Sequence, residues 1–318
     1  MFWQSFKITS VAVAQSFLLA AIGYFLVKKN ILKTEGLNAL SRLVIEVTLP
    51  LLIFCQLISD FKFSLYPDWW IFPLLSMAIT AIGLLLALLF SGFIKGPQHK
   101  LQFLSLVTFQ NSGYLPLVLS ASLLPQEKMG AMFIYLFLFL SGFNVVMFSL
   151  GVHIINFHKN KKFELGSLFS PPVVATIISL LFVASGLNHF VAAQFLKPLR
   201  MIGDCTLPLA MFVVGGSLAE IHIARVSKKA IFLMSMLKLV VLPAVGIFLI
   251  IKFQLPELIG LLIVMQLAMP PATLLSVITR HYNKEDLLIS QGILIGHIIS
   301  IFTIPVFLSL YFMRNMLR

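Results

Sequence analysis

Long stretches without a charged residue dominate the chain. A helix that crosses a lipid bilayer needs about 20 mostly apolar residues. Seven stretches free of Asp, Glu, Lys and Arg reach that length: 8–27, 69–94, 101–126, 129–158, 165–196, 258–279 and 287–313. Three more apolar stretches carry one or two charges each: 36–58, 198–219 and 229–251. The pattern therefore predicts an all-α polytopic membrane protein with ten transmembrane helices.

The composition supports a membrane protein and argues against a soluble catalytic domain. Of the 318 residues, 59% are hydrophobic and 11% are charged, whereas soluble domains average roughly 25% charged residues. The longest connection between predicted spans, about residues 158–169, is too short to fold by itself. The first span follows a single Lys7 and shows no small-residue cleavage site, so we expect a retained helix rather than a signal peptide.

The positive charges lie mainly on one side of the predicted spans. The net charge is +12, from 23 Lys and Arg against 11 Asp and Glu. Thirteen of the cations fall in the odd-numbered connections, seven lie on the opposite side and three lie within spans. Because cationic loops stay in the cytoplasm, both termini are predicted to be extracytoplasmic. No connection is long enough for a separate basic module, so we expect no nucleic-acid partner.

An internal repeat relates the second and seventh predicted spans. The segment RLVIEVTLPL begins at Arg42, and RMIGDCTLPL begins at Arg200, 158 residues later. Since each unit would hold five spans, an odd number, the second copy would enter the membrane inverted, as in many secondary transporters. We predict a first five-helix repeat at residues 1–158, a cytoplasmic linker at 159–169 and a second, inverted repeat at 170–318.

The fourth and ninth predicted spans contain proline near their centres. The fourth carries QNSGYLP from Gln110 to Pro116, and the ninth carries QLAMPP from Gln266 to Pro271. Proline donates no backbone hydrogen bond and disfavours helix in the residue before it, so each span is predicted to break there. Free N–H groups at half-helix N-termini would suit a carboxylate. A simple proline kink is the alternative. The candidate binding residues are Gln110, Asn111, Ser112, Gly113, Tyr114, Pro116, Pro270 and Pro271.

Two pairs of ionisable residues inside predicted spans are candidates for ion coupling or gating, because charges are costly in a membrane. Arg42 and Glu46 are four residues apart, as are Arg200 and Asp204. This spacing places both side chains of a pair on one helix face. A structural ion pair and a proton- or ion-binding role therefore both stay open.

Four further polar residues within spans are assigned on weaker grounds. Lys238 has no acid within four residues and either attracts an anionic substrate or extends to the membrane interface. Asn144 is a candidate cavity residue. Gln266 and His297 join the coupling or gating set, although a lone histidine is more often a packing residue.

Several segments together resemble one family. They are TLPLLIF around Pro50, NSGYLPLVL from Asn111, FNVVMFSLG from Phe143, LPLAMFVVGGSLA from Leu207, LKLVVLP from Leu237 and AMPPATLLSVITRHY from Ala268. Their order is similar to that in the auxin efflux carrier family, which includes plant PIN-type carriers and bacterial permeases for malate and related acids. The chain lacks the long central loop and the charged third span common in plant members, so a bacterial organic-acid permease is the nearer match.

The resemblance implies ten helices in two inverted repeats, with a scaffold domain and a transport domain. It implies a substrate site where the fourth and ninth spans cross. Asn111, Gly113 and Pro116 would form one half of that site and Pro270 and Pro271 the other, with Asn144 beside the cavity. It also implies a multi-pass protein of the bacterial inner membrane.

The combined hypothesis is a secondary transporter that moves a small mono- or dicarboxylate by alternating access. We expect no cofactor and no bound metal; a proton or sodium ion as coupling ion and a homodimer are left open. The alternative is a cation-coupled carrier of the bile-acid-symporter or sodium/proton-antiporter type, although the fifth span lacks the paired carboxylates expected for antiport. An enzyme is not expected, because the chain has no H-E-x-x-H motif and no recognisable nucleophile constellation.

Overall fold

The computed structural model describes residues 2–155, 169–221, 227–281 and 287–316. Within these ranges every regular element is a helix, apart from one isolated antiparallel bridge between Gln110 and Pro271. In chain order the helices are α1 (Phe2–Lys28), α2 (Thr34–Asp60), α3 (Ile71–Ser91), α4 (Pro97–Thr108), α5 (Tyr114–Leu123), α6 (Gln126–Ile154), α7 (Pro171–Ala184), α8 (Ala193–Ala219), α9 (Lys228–Phe253), α10 (Glu257–Ala268), α11 (Leu274–His281) and α12 (Leu287–Arg314). The prediction of an all-helical protein is confirmed.

Seven of these helices are long and apolar enough to cross a membrane. They are α1, α2, α3, α6, α8, α9 and α12, and each has 21 to 29 residues. Three shorter apolar helices, α5, α7 and α10, have 10 to 14 residues. The prediction of several membrane-spanning helices is therefore confirmed. Of the shorter helices, α5 and α10 lie in the two spans that were predicted to break, and α7 lies in the sixth predicted span.

The sixth predicted span, 165–196, is shorter than its apolar stretch suggested. The first helix in the described part of that stretch, α7, covers only Pro171–Ala184. The chain then turns at Gly186, whose φ of 74° is favourable for glycine, and passes through a 3-10 turn at Leu187–Phe190. The next helix, α8, already begins at Ala193. Hydropathy missed this boundary because the residues of the turn are themselves largely apolar.

The helices pack in two groups. In the first group α8 contacts α1 and α2, and α2 contacts α7; the largest of these contacts joins α1 to α8. The second group contains α3 to α6 together with α9 to α12. The two groups meet chiefly where α1 packs on α12 and where α5 packs on α1 and α8. Both broken spans therefore lie in the second group, against the face of the first.

The repeated TLPL motif forms the contact between α2 and α8. Thr206 Oγ1 donates a hydrogen bond of 3.0 Å to Thr48 Oγ1, and both threonines are buried. They are equivalent positions of the two motif copies, 158 residues apart. Nearby, a Cβ on Gly203 would lie 2.8 Å from the backbone nitrogen of Leu52, so the two backbones approach closely. The two copies of the motif therefore contact each other.

Helices α1 and α8 approach even more closely through glycine. A Cβ placed on Gly215 would overlap the carbonyl oxygen of Ala20, and one on Gly23 would overlap the carbonyl oxygen of Phe212. Small residues of this kind allow helices in a membrane to gain van der Waals contact and close backbone approach. The α1–α8 contact therefore depends on the absence of a side chain at these two positions.

We expect Gly215→Ala to destabilise the protein by about 1–3 kcal/mol, the usual cost of overpacking. Helix propensity alone predicts the opposite, because alanine is favoured over glycine in helices by roughly 0.5–1 kcal/mol. Gly92→Ala is the control, since a Cβ there meets no atom within 4 Å. Thermal unfolding in detergent measures both variants. Equal melting temperatures for the two would contradict the packing argument.

Candidate functional site

The two broken spans meet at their breaks. Helix α4 ends at Thr108 and α5 begins at Tyr114, while α10 ends at Ala268 and α11 begins at Leu274. The intervening segments run antiparallel and pair through two backbone hydrogen bonds. The Asn111 N–H donates to the Pro270 carbonyl at 2.9 Å, and the Ala272 N–H donates to the Phe109 carbonyl at 3.0 Å. Each broken segment therefore supplies a hydrogen-bond partner for a backbone N–H or carbonyl group of the other.

The residues at the breaks explain why the helices stop. Pro270 and Pro271 have no N–H to continue α10, and Met269 before them is extended, with ψ of 142°. In the other break, Phe109 is extended, and the chain re-enters a helix after Gly113. Pro116 lies in the first turn of α5, where a backbone N–H has no helical partner. It therefore helps to start the half-helix rather than to break it.

A cavity of about 130 Å³ lies against the paired breaks. Gln110, Asn111 and Ser112 line it from one break and Thr273 from the other, while Asn144 of α6 lies on its wall. Much of the remaining wall is apolar, from residues such as Ile45, Leu49, Phe143 and Met147. No charged side chain of the described ranges lines the cavity. A buried ligand would therefore be held by neutral polar groups.

Two half-helices begin at the cavity wall. Gly113 and Tyr114 at the start of α5, and Thr273 and Leu274 at the start of α11, all line it. The N-terminus of a helix carries about half a positive charge and unpaired N–H groups. Two such ends beside one cavity produce a positive potential without a charged side chain. This arrangement suits an anion.

Three buried polar groups at the first break have no hydrogen-bond partner among the described residues. They are the Gln110 Nε2, the Asn111 Nδ2 and the Ser112 hydroxyl. The amide nitrogens are donors and the hydroxyl can donate. Buried donors without a partner are unfavourable, by roughly 1–3 kcal/mol each, and are rare in folded proteins. All three residues line the cavity, so these unpartnered donors lie beside the space that a ligand would occupy.

Lys238 lies on the other side of the break and does not line the cavity. Its side chain is buried, and its Nζ donates to the Val107 carbonyl at 2.9 Å and to Gln110 Oε1 at 3.5 Å. Because the Gln110 oxygen accepts from Lys238, the Gln110 amide nitrogen is left for another partner. Lys238 is thus placed to orient Gln110, and the structure does not bring its ammonium into the cavity.

Two successive matches to the family described as Membrane transport protein cover residues 8–163 and 155–308. Together they include the crossover and every residue that lines the cavity. The chain belongs to this family. It is the auxin efflux carrier family, as the motifs predicted. With its seven long apolar helices, the chain is a multi-pass membrane transport protein, from a family of transporters rather than enzymes.

Two proteins named as transporters are similar in sequence to this chain over most of its length. An uncharacterized transporter of Methanocaldococcus jannaschii is 26% identical over 302 residues, which cover 90% of this chain and 94% of that protein. An uncharacterized transporter of Methanothermobacter thermautotrophicus is 26% identical over 298 residues, with 91% and 93% covered. The similarity therefore extends through both halves of the transport protein.

The predicted ion pairs lie away from the cavity of this transport protein. Arg42 and Glu46 form an ion pair at 3.1 Å, with 76% and 49% of their side chains exposed. Arg200 and Asp204 are both exposed and, within the described residues, form no ion pair with each other. The helix is interrupted at Cys205, directly after Asp204. The structure brings neither pair to the crossover.

The other coupling candidates are at or near the crossover. Gln266 is buried, and its Nε2 donates to the Ser112 carbonyl at 3.1 Å, which joins the two broken spans. His297 is buried in α12, where its Nδ1 lies 2.9 Å from the Ile293 carbonyl. Its other ring nitrogen has no partner among the described residues. Gln266 therefore has a structural role at the site, and His297 lies in the supporting helix.

Asn144 lines the cavity, and its Nδ2 donates to the Ser170 hydroxyl at 3.4 Å, just before α7. Sequence reasoning missed Ser170, Thr273 and Ser217, which also line the cavity. Thr273 lies two residues after the Pro270-Pro271 pair, so the proline signal could have indicated it. Ser170 and Ser217 follow no polar pattern, because only the packing of α7 and α8 brings them to the site.

Replacing Gln266 with Met should destabilise the protein by about 1–3 kcal/mol, because the Ser112 carbonyl loses its buried donor. Methionine keeps the length of the side chain, so the change in volume is small. Thermal unfolding in detergent provides the measurement. The control is Gln194→Met on the exposed start of α8. A melting temperature of Gln266→Met equal to that of this control would show that the bond between the breaks is dispensable.

Proposed function

We propose that this membrane transport protein is a secondary transporter of a small organic anion, with the crossover as its binding site. The main support is the set of unpartnered donors of Gln110, Asn111 and Ser112 beside a cavity that no acidic side chain of the described residues lines. A carboxylate offers several acceptor lone pairs in a small volume. Its charge would also meet the N-terminal ends of α5 and α11. A mono- or dicarboxylate is therefore the proposed substrate class.

The proposed architecture is ten spans in two inverted repeats. Helices α4 and α5 count as one broken span and α10 and α11 as another. The repeats would occupy residues 1–158 and 170–318, with a linker at 159–169. The support is the symmetric Thr48–Thr206 contact and the pair of family matches, whose boundary at 155–163 falls near the proposed linker.

The two helix groups supply a route to alternating access. We assign α1, α2, α7 and α8 to a scaffold and the group that carries the crossover to a mobile transport domain. The cavity lies beside those ends of α2, α7 and α8 that adjoin basic connections, because it is lined by Ser41, Ser170 and Ser217. Basic connections favour the cytoplasm, so this conformation would open inward in a bacterial inner membrane, with both termini outside.

The opposite face of the transport domain is held by an ion pair. Lys128 Nζ, at the start of α6, lies 2.7 Å from Glu257 Oε2, at the start of α10. Tyr311 of α12 donates to the Glu257 carbonyl. These contacts join three helices of one group. A displacement of the whole group against the scaffold would therefore leave them intact.

Asn111→Asp should reduce saturable counterflow by about tenfold or more, because it replaces a donor by a negative charge of the same shape. A hydrogen bond to a charged group contributes about 1.5–3 kcal/mol, and about 1.4 kcal/mol corresponds to tenfold. The assay uses proteoliposomes with labelled lactate as a monocarboxylate and labelled malate as a dicarboxylate. Asn111→Ala should show a similar loss.

Asn188→Ala is the matched control, since this asparagine lies in the turn before α8 and outside the cavity. It should transport like the wild type. Melting temperatures of all variants separate a loss of binding from a loss of folding. Wild-type counterflow by a folded Asn111→Asp protein would remove the crossover as the anion site.

A further inference from the structure

Lys238 is a buried cation in the middle of a membrane helix. It lies in a π-helical turn at Leu237–Val241 of α9, and 1% of its surface is exposed. Within the described residues no carboxylate pairs with it. A charge at this depth is costly unless nearby groups compensate it. Within the described residues, the compensating groups are therefore neutral polar groups around the ammonium.

The end of α4 supplies that compensation. The carbonyl groups at the end of a helix have no partner within it, and that end carries about half a negative charge. Because α4 stops at Thr108 inside the protein, these carbonyls are remote from solvent; Val107, for instance, is fully buried. The Lys238 ammonium donates to the Val107 carbonyl at 2.9 Å. The lysine thus neutralises the carbonyl end of one half-helix.

The same region is rich in oxygen atoms. Gln110 Oε1 lies 3.5 Å from Lys238 Nζ. The hydroxyls of Thr108, the last residue of α4, and of Ser235, three residues before Lys238, are buried without a partner among the described residues. Hard metal cations prefer oxygen ligands of this kind, carbonyl groups included. Two of these oxygens, the Val107 carbonyl and Gln110 Oε1, contact the ammonium, so the carbonyl end of the crossover offers oxygen ligands to a cation.

We infer that Lys238 is a tethered cation that takes the place of a coupling Na⁺ at the carbonyl end of the crossover. When protonated, Lys238 supplies a positive charge from within the fold, so anion binding at the N-terminal ends of α5 and α11 needs no bound Na⁺. The effect on the anion runs through Gln110, which Lys238 orients, and Lys238 is a positioning residue. The consequence for transport rests on the proposed function; the cation replacement itself rests only on the contacts of Lys238.

The test uses Na⁺ alone as the probe, with purified protein in detergent and no organic anion. Thermal unfolding is compared in NaCl and in choline chloride of equal ionic strength, because choline is too large for the site. The wild type should melt at the same temperature in both salts. Lys238→Ala should melt roughly 5 °C lower in choline chloride, since carbonyls lose their donor. NaCl should restore a large part of that loss, because a cation bound only by the folded state stabilises it.

Two controls separate a cation site from a general effect of the mutation. Lys238→Arg keeps the charge and should show no response to Na⁺. Lys252→Ala, at the exposed end of the same helix, should also show none. A Lys238→Ala protein that melts equally in both salts would overturn the inference.

A measurement on the wild type keeps the inference testable if Lys238→Ala does not fold. Saturable binding of radioactive Na⁺ to the wild type, or Na⁺-dependent melting of it, would overturn the replacement of Na⁺ by Lys238. No saturable binding is the expected result. The proposed function is judged separately: if the Na⁺ results are as expected but no carboxylate undergoes counterflow, the anion site is wrong and the assignment of Lys238 stands.

Discussion

The structure depends on how backbone hydrogen bonds are satisfied where two membrane helices stop inside the protein. In hydrocarbon no water compensates a free N–H or carbonyl group, so irregular backbone is tolerated only against protein or a wet cavity. Here the two breaks pair with each other through Asn111 and Ala272. Gln266 satisfies the Ser112 carbonyl and Lys238 satisfies the Val107 carbonyl. These contacts allow the crossover to exist in the bilayer.

The same contacts give the two sides of the crossover different electrostatic environments. The carbonyl end of α4 meets a lysine that does not line the cavity. The N-terminal ends of α5 and α11 lie at the cavity wall, which no charged side chain of the described residues lines. Gln110 connects the two sides, because its oxygen accepts from Lys238 and its nitrogen is left for a ligand. A positive potential and free donors therefore coincide at one place. That coincidence is the basis for regarding the cavity as an anion site.

Much of this could be predicted from the sequence because hydropathy and proline chemistry are local. Charge-free stretches predicted a helical membrane protein, and QNSGYLP and AMPP predicted where two helices stop. In AMPP two prolines remove backbone donors at the break itself, whereas in QNSGYLP the polar residues and Gly113 precede a proline that starts the next helix. The family followed from motifs along the chain and is confirmed. The same local signals failed at residues 185–192, where an apolar turn has no hydropathy boundary.

The sequence by itself determined that the protein lies in a membrane, that it is helical and where two of its spans break. Each of these properties is set by residues that are close together in the chain. Tertiary structure decided the rest. It placed Arg42 and Glu46 on the surface, brought Ser170 and Thr273 to the cavity and turned Lys238 to the end of α4. Lys238 and Val107 are 131 residues apart. Such a contact depends on helix packing, which no local pattern encodes.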